Sequence, residues 1–168
     1  MKSLVLGLVI LAYLPLSVHA QSSEDAKAAK QLVGMWRLVS WTLKLADGTT
    51  RPDPRSTAYI VYTDRGRNCY VNMNPNRPLW KSENAPTGEE AISAIMGLSA
   101  YCARVEVHAR EGFVIHRPEV ERIPNFVGRD RKRWFTFEGA NRLVLRVDPS
   151  ELVKPVVEST LVWERVLD

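Results

Sequence analysis

Polar side chains that can do chemistry are concentrated in residues 116–135, which read HRPEVERIPNFVGRDRKRWF. His116 ends one apolar segment, Glu119 follows three residues later, and Arg133 begins the next segment. A carboxylate beside an imidazole holds one tautomer and raises the imidazole pKa, which prepares a general base. A neighbouring guanidinium can bind a carboxylate or stabilise an oxyanion. These residue types suit an isomerase- or cyclase-type site with His116 and Glu119 as the candidate catalytic pair.

Two other interpretations of the same residues stay open. Glu119 and Arg133 can form a structural ion pair that holds the connection between two strands, with His116 packed beside them. Alternatively, all three side chains can anchor the polar group of a bound molecule. A connection between adjacent antiparallel strands returns to the same rim of the sheet, so each interpretation places these side chains close together.

The basic run at residues 129–133 is interpreted as a solvated turn. Single-stranded nucleic acid would require aromatic platforms interleaved with the charges, and the net charge of +4 is spread along the chain. Nucleic acid is therefore not expected as a partner. No CxxC or HxxxH spacing predicts a metal site, and no motif predicts a cofactor.

The N-terminal segment has the composition of a secretory signal peptide. Lys2 precedes an apolar run over residues 4–14, Pro15 ends this run, and Ala20 closes a small-residue cleavage site. These features predict a signal peptide over residues 1–20, cleaved after Ala20, and export to the periplasm or beyond. The apolar run is shorter than the roughly 20 residues that span a bilayer, so no stable membrane insertion is expected after cleavage.

Two cysteines, Cys69 and Cys102, are the only ones in the chain. Cysteines in an oxidising compartment can pair, and this pair would close a loop of 33 residues. Whether the two side chains lie close enough does not follow from the sequence, so a disulfide and two free thiols both remain open.

Short alternating segments with turn residues between them predict a mostly β fold. Such spacing is typical of an antiparallel sandwich or barrel. Residues 21–32 are polar and rich in alanine, and are interpreted as a flexible lead or a short helix. The predicted strands lie at residues 34–45, 58–63, 67–73, 104–108, 113–116, 133–137, 142–147 and 159–166, the last able to pair with the first. Residues 51–54 are predicted to be a loop.

One helix is predicted in the middle of the chain. Thr87 can cap it, with Glu90 in the capping-box position. Apolar residues at helical spacing continue to about Tyr101, and this apolar side, which includes Met96, is expected to pack against the core.

Several short motifs together resemble the lipocalin-like domain family of small bacterial and fungal domains. They occur in the family's order along nearly the whole chain after residue 33. The motifs are Gly34-x-Trp36-Arg37-Leu38-Val39-Ser40-Trp41, Tyr62-Thr63-x-x-Gly66, Arg77-Pro78, Tyr101-x-x-Arg104-x-Glu106-Val107, His116-x-x-Glu119, Pro124-Asn125-x-x-Gly128, Arg133-x-Phe135 and Trp163-Glu164-Arg165. Cys102 and Asn68 depart from the family pattern, and Asn68 argues against a purely apolar pocket.

The resemblance implies a single antiparallel barrel of about eight to ten strands over residues 33–168, with one helix inserted mid-chain. It implies no single reaction or ligand. We expect an exported barrel that binds a small, partly apolar molecule; the alternatives are an isomerase- or cyclase-type enzyme using His116, and a structural or interaction module of the cell envelope. Candidate ligand-binding residues are Trp36, Tyr62, Tyr70, Arg104, His116, Glu119, Arg133 and Trp134.

Overall fold

The computed structural model describes residues 22–53 and 57–167, which contain nine strands and two α-helices. The helices are α1 (Ser23–Leu32), ahead of the first strand, and α2 (Gly88–Met96), between the fourth and fifth. The strands are β1 (Gly34–Leu45), β2 (Thr50–Pro52), β3 (Thr57–Tyr62), β4 (Arg67–Met73), β5 (Leu98–His108), β6 (Phe113–Glu121), β7 (Arg131–Phe137), β8 (Arg142–Val147) and β9 (Val156–Arg165).

Eight of these strands close into an antiparallel barrel. From β3 to β9 each strand pairs with its neighbour in the chain, and β1 pairs with β3 on one side and with β9 on the other. Trp36 lies opposite Ile60 on β3, and Leu38 lies opposite Trp163 on β9. Within the described part of the chain, the short β2 pairs only with β1 and lies outside the ring. The predicted barrel, and the return of the last strand to the first, are confirmed.

The barrel core follows from the two-residue repeat of a strand, which sends alternate side chains inward. On β3 the buried residues are Ala58, Ile60 and Tyr62, while the residues between them are exposed. The largest fully buried side chains are Trp36 and Trp163. A closed ring leaves no free edge among the eight barrel strands, which protects them from pairing with other chains.

Helix α1 closes one end of the barrel, where a flexible lead was one of the two expectations. Ser22 and Asp25 form a reciprocal capping box, which satisfies backbone donors at the start of the helix. Leu32 is buried, and its carbonyl accepts a hydrogen bond of 2.8 Å from Nε1 of Trp36. Asp25 also accepts from the backbone N–H of Ala109, in the β5–β6 turn. The lead is thus a helix, because its few apolar residues have a barrel end to cover.

The link from α1 to β1 requires glycine. Gly34 has φ of +127°, and a Cβ there would lie 2.6 Å from Nη1 of Arg165. That guanidinium donates to the carbonyls of Gln31 and Val33 and lies 4.1 Å from the Trp36 ring centroid. The absent side chain therefore lets Arg165 hold the helix end against the barrel.

Helix α2 begins as predicted, with Thr87 and Glu90 in a capping box. It ends at Met96, earlier than expected, because Leu98 to Tyr101 already belong to β5. The expectation that its apolar side packs into the core is wrong. Ile92 and Met96 are 63% and 66% exposed, because the helix lies outside the barrel, whose core is formed by inward side chains of the strands and by α1. Within the described residues, neither helix has the length and apolar content needed to cross a bilayer.

Cys69 and Cys102 form a disulfide, which settles the alternative that the sequence left open. They lie directly opposite each other on β4 and β5. The bond therefore fastens two neighbouring strands on the outer face of the barrel, ahead of and behind the long connection that carries α2.

Removing the disulfide is predicted to lower the free energy of unfolding by about 3–4 kcal/mol, because a 33-residue loop is no longer closed in the unfolded chain. The double variant Cys69→Ala, Cys102→Ala is compared with the oxidised protein by urea denaturation. The reduced wild-type protein is the control and should unfold at the same urea concentration as the variant. Equal midpoints for the oxidised protein and the double variant would contradict the prediction.

Candidate ligand-binding cavity

A cavity of about 280 Å³ lies inside the barrel, at the end opposite α1. Residues 151–153 of the β8–β9 connection line it, whereas α1 covers the turns at the other end. Its apolar wall includes Trp41, Leu43, Ile60, Leu145, Leu161 and Trp163. Its polar side includes Tyr70, Tyr101, His116, Arg131, Arg133 and Glu151.

His116 lies at the centre of the polar side and is fully buried. Its Nδ1 is 2.9 Å from the Tyr101 hydroxyl on β5, and its Nε2 is 3.0 Å from the Tyr62 hydroxyl on β3. Burial, with the charges of Arg133 and Arg131, holds the His116 pKa well below its ordinary value of 6.5. The imidazole is therefore neutral at physiological pH, with one nitrogen donating and the other accepting.

The two tyrosines beside His116 are also neutral. Burial raises the pKa of Tyr62 well above 10 and raises that of Tyr101 as well. Asn68 lies near the Tyr101 hydroxyl and acts on that pKa in the opposite direction, but neither amide atom completes a hydrogen bond of good geometry. The three rings form a hydrogen-bonded chain across the barrel, which we call the Tyr62–His116–Tyr101 chain.

Two arginines on β7 flank this chain. Arg133 is buried, and its Nη1 donates to Oε1 of Glu151 at 2.7 Å. The same carboxylate oxygen accepts from the backbone N–H of Lys132 at 2.8 Å. Arg131 lies over the Tyr101 ring at 4.9 Å and donates to Glu121 at 2.9 Å. Each guanidinium thus has a carboxylate partner, as buried charges require.

Two carboxylates of the β8–β9 connection bind to β7. Glu151 binds β7 as just described, and Asp148 accepts from Nε1 of Trp134 at 3.2 Å. Asp148 also accepts from the backbone and hydroxyl of Ser150. These carboxylates hold a short helical turn (Pro149–Glu151) over the cavity mouth.

Three of the candidate binding residues line the cavity: Tyr70, His116 and Arg133. Tyr62 contacts His116 from the far side and lines a separate pocket beneath α1. Trp36 belongs to the core under α1, where its ring packs against Phe137.

The other three candidates, Arg104, Glu119 and Trp134, lie on the outer face of the barrel. Glu119 accepts from Arg104 at 2.6 Å and lies 3.5 Å from Arg67. The expected pair of Glu119 with Arg133 is therefore not formed, nor is Glu119 beside His116. Strand periodicity gives the reason, because Glu119 stands at an odd spacing from the inward His116, where the β5–β6 register shifts.

Sequence reasoning missed Tyr101, Arg131, Glu151 and Trp163. Arg131 lies two residues before Arg133 on one strand, so alternation alone could have placed both on the same face. Tyr101 was not recognised as an inward strand residue, because the apolar pattern of α2 continues into β5 and the helix was predicted to extend to it. Glu151 lies in a connection, where no repeat indicates the direction of a side chain.

The chain belongs to the lipocalin-like domain family, whose model matches residues 33–166. That range begins with β1 and includes every strand of the barrel and the whole cavity wall. A search of curated proteins finds no significant match to the chain. The family assignment confirms the resemblance found in the motifs.

Stability should decrease as the pH falls below 6.5, because unfolded His116 binds a proton that the buried side chain excludes. The unfolded state binds more protons below that pH, so the free energy of unfolding rises with pH across this window. His116→Gln should reduce the change of unfolding free energy with pH, by an amount equal to the uptake of up to one proton on unfolding. Urea denaturation between pH 5 and 8 measures this pH dependence. His108→Gln, on the outer face, is the matched control. Identical slopes in wild type and His116→Gln would refute this account.

Glu151→Gln should cost about 3 kcal/mol of unfolding free energy, because it leaves the buried Arg133 without a counter-charge. Arg104→Gln removes a shorter ion pair on the exposed outer face and should leave the unfolding midpoint unchanged. Chemical denaturation of both variants measures the contrast. The same loss of unfolding free energy in both variants would show that burial does not determine how much these ion pairs stabilise the protein.

Proposed function

We propose that the protein is exported and that its barrel binds a small, partly apolar molecule. The observation that carries this proposal is the cavity, whose apolar wall faces a single polar side with His116 at its centre. Small-molecule sites have this composition, in which apolar surface provides contact area and a few polar groups fix orientation. A volume of about 280 Å³ lies just below the usual range of roughly 300–1,000 Å³, so the ligand is small.

Two features support the export of the protein. Residues 1–20 have the composition of a signal peptide. The Cys69–Cys102 disulfide suits an oxidising compartment, where such bonds persist.

The hydrogen bonds of His116 favour binding over catalysis. A general base needs a free nitrogen within reach of the substrate proton and a pKa near the working pH. Both nitrogens of His116 are bound to tyrosines, and burial holds its pKa well below 6.5. The carboxylate expected to activate it, Glu119, lies on the outer face. The polar side of the cavity is thus built to orient a ligand.

A role as an interaction module is the second candidate, and one observation favours it. The side chains of Ile92, Ile95 and Met96 on α2 are exposed, and Ile95 lies beside the exposed Val71 and Val120. Contiguous apolar surface of this kind marks contact sites on many proteins. This surface is outside the barrel, so a substitution inside the cavity distinguishes the two candidates.

The neutral probe 1-octanol should change the fluorescence of the cavity tryptophans, Trp41 and Trp163, in a saturable manner. Leu145→Phe fills cavity space and should weaken binding about tenfold or more. Val144→Phe is the matched control, because it changes the neighbouring residue, which lies on the opposite face of β8, and should bind as the wild type does. If all three proteins responded alike, the cavity would not be the binding site.

A further inference from the structure

The Tyr62–His116–Tyr101 chain contains one hydrogen more than its own bonds require. Two hydroxyls and a neutral imidazole carry three polar hydrogens, whereas the chain has two hydrogen bonds. If His116 carries its hydrogen on Nε2, Tyr62 accepts and its own hydrogen is left over. If His116 carries it on Nδ1, Tyr101 accepts and the spare hydrogen belongs to Tyr101.

The surroundings of the two hydroxyls differ. Tyr101 lines the cavity, whereas Tyr62 lines the pocket beneath α1. Among the described residues, neither hydroxyl has a second hydrogen bond of good geometry. An acceptor bound in the cavity would draw the spare hydrogen to Tyr101 and so fix His116 in the Nδ1–H form.

A second donor in the cavity wall is also without a partner. Nε1 of Trp163 is buried and has no hydrogen bond within the described part of the chain. The indole nitrogen can only donate, and a buried donor left unpaired destabilises the protein. A ligand that accepts this hydrogen bond would remove this destabilisation.

Arg133 provides a third set of donors. Both of its hydrogen bonds use Nη1, to Glu151 and to the carbonyl of Lys132. Nη2 and Nε therefore remain without a bond to any residue in the described ranges, on a side chain that lines the cavity. The carboxylate of Glu151, by contrast, is already bound by Lys132 and Arg133.

We propose that the cavity selects a small apolar molecule whose polar group accepts hydrogen bonds, with an anion such as a carboxylate preferred, and that this group binds Tyr101, Trp163 and Arg133. This inference rests on the proposed function and names its ligand class. It also assigns His116 a positioning role, because its tautomer decides whether Tyr101 donates into the cavity.

The test compares octanoate, 1-octanol and octylamine, which share a chain length and differ in their polar group. Titration of the wild-type protein by tryptophan fluorescence and calorimetry should give the tightest binding for octanoate and the weakest for octylamine. We expect a difference of at least about tenfold between these two, as bonds to a charged group imply. Equal binding of octanoate and octylamine would overturn the inference but leave the proposed function standing.

Two variants test two of the three named donors, Trp163 and Tyr101. Trp163→Phe and Tyr101→Phe should each weaken octanoate binding about 5- to 20-fold and change octanol binding much less. Trp80→Phe and Tyr59→Phe, both at exposed positions, are the matched controls. Near-ultraviolet circular dichroism shows whether each variant is folded, and the comparison of the three probes in the wild type does not depend on the variants.

Nitrogen NMR reports which imidazole nitrogen of His116 carries the hydrogen. If His116 had only a structural role, octanoate would not change this tautomer. Saturating octanoate should place the imidazole hydrogen on Nδ1, and an Nε2–H form in that complex would overturn the assignment of Tyr101 as donor. A failure of all three probes to bind, octanol included, would instead overturn the proposed function and this inference with it.

Discussion

A fully buried imidazole needs a hydrogen-bond partner at each nitrogen, and much of this barrel is arranged around that requirement. Tyr62 on β3 and Tyr101 on β5 meet His116 on β6, so the requirement ties together three strands through their inward side chains. The low-dielectric interior keeps all three rings neutral, and the arginines of β7 further disfavour protonation of His116. The cavity forms on one side of these rings, and the core beneath α1 lies on the other.

Most of the fold could be predicted, because apolar and polar residues alternate along a barrel strand and this two-residue repeat is visible in the sequence. The β3–β4 hairpin follows from alternation and turn residues, and the last segment was expected to be able to pair with the first, as β9 does with β1. Helix α1 was ambiguous, because a short polar helix is stabilised by the barrel end that it covers. Strand β2 was missed for a related reason: its three exposed residues carry no apolar pattern and pair only with the extended end of β1.

The site was less predictable than the fold. His116 and Arg133 stood out as polar residues on otherwise apolar strands, and both line the cavity. Glu119 was predicted to lie beside them because it is close to His116 along the chain. The side of the sheet to which a residue points decides which side chains meet, and on β6 this follows from the alternation and the register shift. The actual partner of Arg133, Glu151, comes from the β8–β9 connection, and neither periodicity nor motif relates those two positions.

The β8–β9 connection lies across the cavity mouth, and two of its carboxylates bind it to β7. Glu151 and Asp148 bind β7, while Val153 beside them is 80% exposed. Salt screens exposed charges more than buried ones, so the contact of Asp148 with Lys132 should weaken with ionic strength before the Glu151–Arg133 pair does. For the proposed ligand, we therefore expect exchange at the rim to depend on salt through the Asp148 contact, and affinity to depend on the apolar wall and the polar groups inside.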